Sequence, residues 1–175
     1  EISAAQRPYY LKDSSIGNTA IDSFATFYNH DLHYIVSKTL QKRIIAQLQD
    51  IYDNGIIATN DLERLHNDSI NTIMLIEQNV AHPIMINELY TVQKAYESLM
   101  AIDTTQRGRH ALQQSNLNDY ITPNIHFDAT KSEAVRREAL DAISPNSGVI
   151  LTGQKIIGSG EIVDKDRYEI LVSYR

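Results

Sequence analysis

Apolar residues recur at helical spacing from about Asp22 to Asp53, where Phe24, Phe27, Tyr28, Ile35, Ile44, Ile45, Leu48, Ile51 and Tyr52 form one stripe. No Pro or Gly interrupts them, and Gly55 stands where a helix C-terminus favours glycine. The pattern predicts a single helix of roughly 30 residues, about 45 Å long, a length suited to a domain that reaches between surfaces. Asn60-Asp61-Leu62-Glu63 predicts the start of a short helix, a capping residue followed by Glu three positions on.

The period then changes. Ile70–Ile76 is rich in β-branched residues and too short for a buried helix, so it reads as a strand. Val80–Ile86 is its expected partner, and Pro83 confines that segment to a sheet edge. Helical spacing returns over Thr91–Ile102, through Val92, Ala95, Tyr96, Leu99 and Met100, and again over Thr104–Ser115, which contains Gly108. Thr122-Pro123-Asn124 breaks the chain. Thr130-Lys131-Ser132-Glu133 reads as a capping box opening a helix that runs to about Ile143, ahead of Pro145, with Val135, Ala139, Ala142 and Ile143 as its stripe. Short strands are expected at Gly148–Leu151, Lys155–Ile157 and Glu161–Val163. A last helix follows Asp164, with Ile170, Leu171 and Tyr174 inward. The fold class expected is α+β and mainly α-helical: a long N-terminal helix, a helical middle, and a small β-sheet near the C-terminus followed by a terminal helix.

Composition narrows the function classes. The 175 residues are 42% hydrophobic and 22% charged, enough for a core without staples. A net charge of −6 argues against nucleic acid as a partner. The absence of cysteine removes disulfides, thiolate metal sites and a Cys nucleophile. No apolar run approaches the ~20 residues of a membrane helix. The chain opens on Glu1-Ile2-Ser3 and stops at Tyr174-Arg175 inside a predicted helix. It is therefore expected to be a single domain, residues 1–175, cut from a larger protein and lacking its first segment.

Candidate chemistry is sparse. Gly153 and Gly158 have the glycine spacing of a phosphate loop, but Ser159-Gly160 stands where that loop needs Lys and Ser or Thr. Gly158 and Gly160 are followed by Val163 rather than the third glycine of a dinucleotide loop, so these glycines read as turns between short strands. His30 and His33 share a helix face and could grip a metal, yet no third ligand lies nearby in sequence, and a polar helix face is the plainer reading. There is no nucleophile elbow, and Asp164 and Asp166 are carboxylates favoured at a helix start. Tyr9-Tyr10 reads as an exposed N-terminal segment that lines a pocket or partner surface, or else packs against the helices. No catalytic, cofactor-binding or metal-binding residue is assigned.

A resemblance adds to this. Pro123-Asn124, then Phe127-Asp128 and Thr130, then Gly153, Ile156, Gly160-Glu161 and Val163 resemble the end of the extracytoplasmic domain of bacterial seven-transmembrane HD-hydrolase proteins. Arg7–Asp13 and Asn54–Leu65 are similar to that family too, and Leu89–Leu99 resembles its version in Bacteroidetes-like relatives. The resemblance implies a domain between the first membrane helix and the remaining six, outside the cytoplasmic membrane of a bacterium. A cytoplasmic HD domain would follow it, metal-dependent and hydrolysing cyclic di-AMP. This chain would then hold no HD ligands, metal or other cofactor, because His30-Asp31 matches only the motif's name. Three functions follow as expectations: a sensor for an extracytoplasmic ligand, a structural or interaction module binding an envelope protein, and, least supported, a free-standing enzyme. For the sensor, the helix Asp164–Arg175 would transmit to the protein's own membrane helices.

Overall fold

A computed structural model describes residues 7–143. The strands and terminal helix expected after Pro145, with Gly153, Gly158, Gly160, Asp164 and Asp166, lie outside the described residues. The chain divides into two units, of which Arg7–Asp128 carries nearly all the described structure.

This unit opens with a strand, β1 (Tyr9–Lys12), and two helices, α1 (Ser14–Phe27) and α2 (Lys38–Asn54). The single long helix expected over Asp22–Asp53 is thus two helices. α1 ends in a π-turn, Tyr28–Leu32, and the chain turns before Ser37, whose hydroxyl caps α2 by accepting from the Leu40 amide at 3.1 Å. The apolar stripe continues through the turn because Leu32 and Val36 are buried there too. Folding back lets α1 and α2 bury their stripes against each other, which one straight helix could not do. Gly17 sits at their closest approach, where a Cβ would stand 2.8 Å from the Tyr52 ring.

Gly55 closes α2 with φ 106°, and a side chain there would strike Ile125. α3 (Thr59–Asn67) begins one residue before the expected Asn60 and has no side-chain cap. Asp61 turns instead to Arg64, 3.2 Å away. β2 (Thr72–Glu77) and β3 (Val80–Met85) then form the expected hairpin, joined by Gln78 and Asn79, both at positive φ as a two-residue turn requires. α4 (Val92–Met100) and α5 (Gln106–Gln114) are capped by the hydroxyls of Thr91 and Thr105, and a short strand, β4 (Ile125–Phe127), completes the unit.

The sheet order is β3-β2-β1-β4, with β1 parallel to β2 and antiparallel to β4. The α+β, mainly helical class holds, but this sheet is not near the C-terminus: the Tyr9-Tyr10 segment is one of its two central strands. Tyr10 is buried, packed edge-to-face on Phe127 at 5.5 Å, and the dry surroundings push its phenol up to about 12. β3, with Pro83, is an edge strand as expected.

Two cores result. Phe24, Ile44, Leu48, Ile51, Leu99 and Leu112 belong to a helical core. Tyr10, Ile57, Leu65, Ile73, Leu75 and Ile125 belong to a sheet core. Consecutive residues Ile56 and Ile57 serve one each, bridging to Tyr90 and Ile125.

The second unit is described only by α6 (Ala129–Ile143). It starts at Ala129, one residue before Thr130. Glu133 points forward to Arg136 (3.0 Å) and Arg137 (3.4 Å).

Candidate functional site

Among the described residues, two adjoining hollows lie on α1. The solvent-facing side of α1 and its π-turn carries a groove of about 510 Å3, with Asp22, Ser23, Thr26, Phe27 and Asp31 in its walls. A second hollow of about 320 Å3 adjoins it through the shared residues Thr19 and Ser23, and Asp119, Tyr120 and Thr122 form its far wall. Together they run along the helix for roughly 20 Å.

The local sequence explains the groove's chemistry. Residues 19, 23 and 26 recur at near-helical intervals, so the hydroxyls of Thr19, Ser23 and Thr26 rise on one face. The buried Phe24 faces the opposite way, into the helical core. None of the three hydroxyls makes a side-chain hydrogen bond among the described residues. Phe27 and Tyr120 are both half-buried and stacked, ring centroids 6.3 Å apart at 25°, giving the groove an aromatic platform. Burial, together with the nearby Asp119 and Asp31 carboxylates, raises the pKa of the Tyr120 phenol, so it stays a neutral donor. Among the described residues neither hollow is lined by Lys or Arg.

The far wall is held from beneath. The Tyr52 hydroxyl donates to the Tyr120 carbonyl at 2.6 Å and accepts from the Thr122 amide at 3.0 Å. Two residues on, the buried Asn124 side chain accepts from the Ile56 amide at 2.8 Å and donates to the Tyr52 carbonyl at 3.0 Å. Asn124 is 1% exposed and so joins the end of α2 to the start of β4 with every side-chain polar atom engaged. Sequence reasoning had it only as half of a recurrent Pro-Asn pair; its place is structural.

The histidine pair separates. His30 lines the groove, whereas His33 lies beyond the π-turn with its ring 3.9 Å from that of the exposed Tyr34. Among the described residues no group of three or more His, Asp or Glu side chains is arranged to hold a metal ion. A third hollow, about 400 Å3 on α5, contains Arg109 and His110 but, among the described residues, no Phe or Tyr.

The sheet offers a different surface. Its strand registers put Tyr10, Ile73 and Leu75 on the buried side and Leu11, Met74, Ile76 and Met85 on the other. Leu11 is 45% exposed and Met85 49%. Among the described residues no helix is long and apolar enough to cross a membrane.

Over residues 1–175 the chain matches the family model described as 7TM-HD extracellular. Neither a curated protein nor a solved structure matches it. The chain belongs to the 7TM-HD extracellular family: it is the extracytoplasmic domain of a membrane-spanning HD protein, and not the catalytic HD domain.

Proposed function

We propose that the domain is a ligand sensor on the outer, periplasmic side of a bacterial inner membrane. It would set the activity of a cytoplasmic HD phosphodiesterase acting on a cyclic dinucleotide such as cyclic di-AMP. The α1 groove carries this reading, as an open hollow with a row of unpartnered hydroxyls beside an aromatic platform. A ligand alters the output only by binding two states of the domain unequally. The groove's far wall suits that task. Asp119–Thr122 is clamped to α2 by Tyr52 and leads along the chain through Asn124 into β4 and then α6. A ligand drawing Tyr120 toward α1 pulls on that segment, and the protein's own membrane helices would receive the change.

The exposed apolar side of the sheet supports a second reading, an interaction module for another envelope protein. A thermal-shift screen of the 175-residue chain against neutral, anionic and cationic small molecules separates the two. A groove ligand at a hundred times its Kd raises Tm by about 5 °C or more. The rise is absent in Ser23→Trp, where an indole fills the groove. Stabilisation that survives Ser23→Trp, or none with any compound, contradicts the sensor.

A further inference from the structure

The α1 groove also restricts the chemistry of its ligand. Asp22, Asp31 and Asp119 border it, and among the described residues no Lys or Arg lines it and His30 is its one basic side chain, so phosphate esters, nucleotides and acidic sugars meet mainly like charge. A wholly apolar ligand would cover Thr19, Ser23 and Thr26 while giving their hydroxyls no partner, which is unfavourable for each group buried. A cation would find the carboxylates, but Asp22, Asp31 and Asp119 are exposed, where water screens an ion pair and leaves it weak. It would also leave the hydroxyl row unused.

One class of molecule answers all the features. A sugar ring presents hydroxyls that donate and accept around its edge and a patch of C–H groups on its face. The edge suits Thr19, Ser23, Thr26 and the flanking carboxylates, which accept from hydroxyl donors. The face suits the Phe27–Tyr120 platform, and the groove's length suits an extended oligomer rather than a single ring.

We propose that the groove along α1 binds a neutral oligosaccharide, its rings laid on Phe27 and Tyr120 and its hydroxyls paired with Thr19, Ser23, Thr26 and Asp22. This rests on the reading of the domain as a ligand sensor.

The test is an NMR titration of the 175-residue chain, with backbone amides resolved, using four probes: chitotriose, maltotriose, trigalacturonate and trilysine. One of the two neutral trisaccharides is expected to give saturable shifts at Thr19, Ser23, Thr26 and Tyr120, with a Kd about millimolar or tighter. Ser23→Trp and, independently, Thr26→Gln are expected to weaken it at least about ten-fold while leaving the remaining amide spectrum in place. Both positions are exposed on α1, so neither change disturbs the core. If neither neutral sugar moves the groove amides, the proposal is overturned. A response to trilysine or trigalacturonate that Ser23→Trp removes also overturns it, yet leaves the sensor standing with another ligand class. Silence to all four probes, with no stabilisation in the wider thermal screen, removes both.

Discussion

The two layers of this domain solve burial differently. In the helical layer, α1, α2, α4 and α5 surround one core, and the outward side of α1 is hydroxylated and grooved. In the sheet layer one face is sealed by Tyr10, Ile73 and Leu75, while the other keeps Leu11 and Met85 about half exposed. A helix can turn a purely polar stripe outward because its period separates the faces by a wide arc. A strand of four residues such as Tyr-Tyr-Leu-Lys has apolar side chains on both sides, so burying one face exposes the other. The lesson is that polar recognition belongs to the helical layer and apolar contact to the sheet. The two candidate functions divide along the same line.

That contrast is sharpest for leucine truncations. Leu48, fully buried in the helical core, is expected to cost about 3–4 kcal/mol as Leu48→Ala, whereas Leu11→Ala on the outer sheet face costs less than about 1 kcal/mol. Urea denaturation of both variants checks this, and equal costs would mean that the outer face is covered. The next largest effect lies at the join. Asn124→Ala leaves the Ile56 amide and the Tyr52 carbonyl without their partner and is expected to cost about 2–3 kcal/mol. If the join couples the layers, Tyr10 and Phe24 environments still melt together in the wild type and separate in this variant. Ser37→Ala removes the cap of α2 and is expected to cost about 1 kcal/mol.

The smallest effect at neutral pH is on titration. The folded pKa of Tyr10 is raised to about 12 from its ordinary 10, so the unfolded chain loses this proton first. Its contribution is complete below pH 10 and is lost as pH rises toward 12. Tyr10→Phe should flatten that alkaline decline, as followed by circular dichroism; an unchanged decline would mean that other groups cause it.

Much of the fold was legible in the chain. The helical spacing of Val92, Ala95, Tyr96, Leu99 and Met100 marked α4, the segment Thr104–Ser115 held α5, and the β2–β3 hairpin followed from the β-branched run Ile70–Ile76 and its neighbour Val80–Ile86, although the caps Thr91 and Thr105 were not read. The break between α1 and α2 was hidden because Leu32, Ile35 and Val36 keep the apolar period alive across it. Ser37, the capping residue, has no Glu or Gln three positions on to flag it. β1 was hidden by its brevity, since four residues show no period and its partners β2 and β4 lie far along the chain. The groove was illegible for a similar reason. Thr19, Asp22, Ser23 and Thr26 look like any solvated helix face until Tyr120, brought from the far end of the unit, stacks on Phe27 and faces Thr19 and Ser23 across the second hollow. The full-length family match agrees with the resemblance carried by Pro123-Asn124 and the glycine-rich tail.

The most direct test of the division between layers uses the intact membrane protein in living cells. Cyclic di-AMP, the proposed substrate of the cytoplasmic HD domain, would be measured for the wild type, for Ser23→Trp in the α1 groove, and for the pair Leu11→Glu and Met85→Glu on the outer sheet face. Ser23→Trp is expected to shift the nucleotide level by about two-fold or more, and the sheet pair to leave it unchanged at equal protein abundance. A shift from the sheet pair with none from Ser23→Trp would contradict the sensor and assign the domain to partner binding.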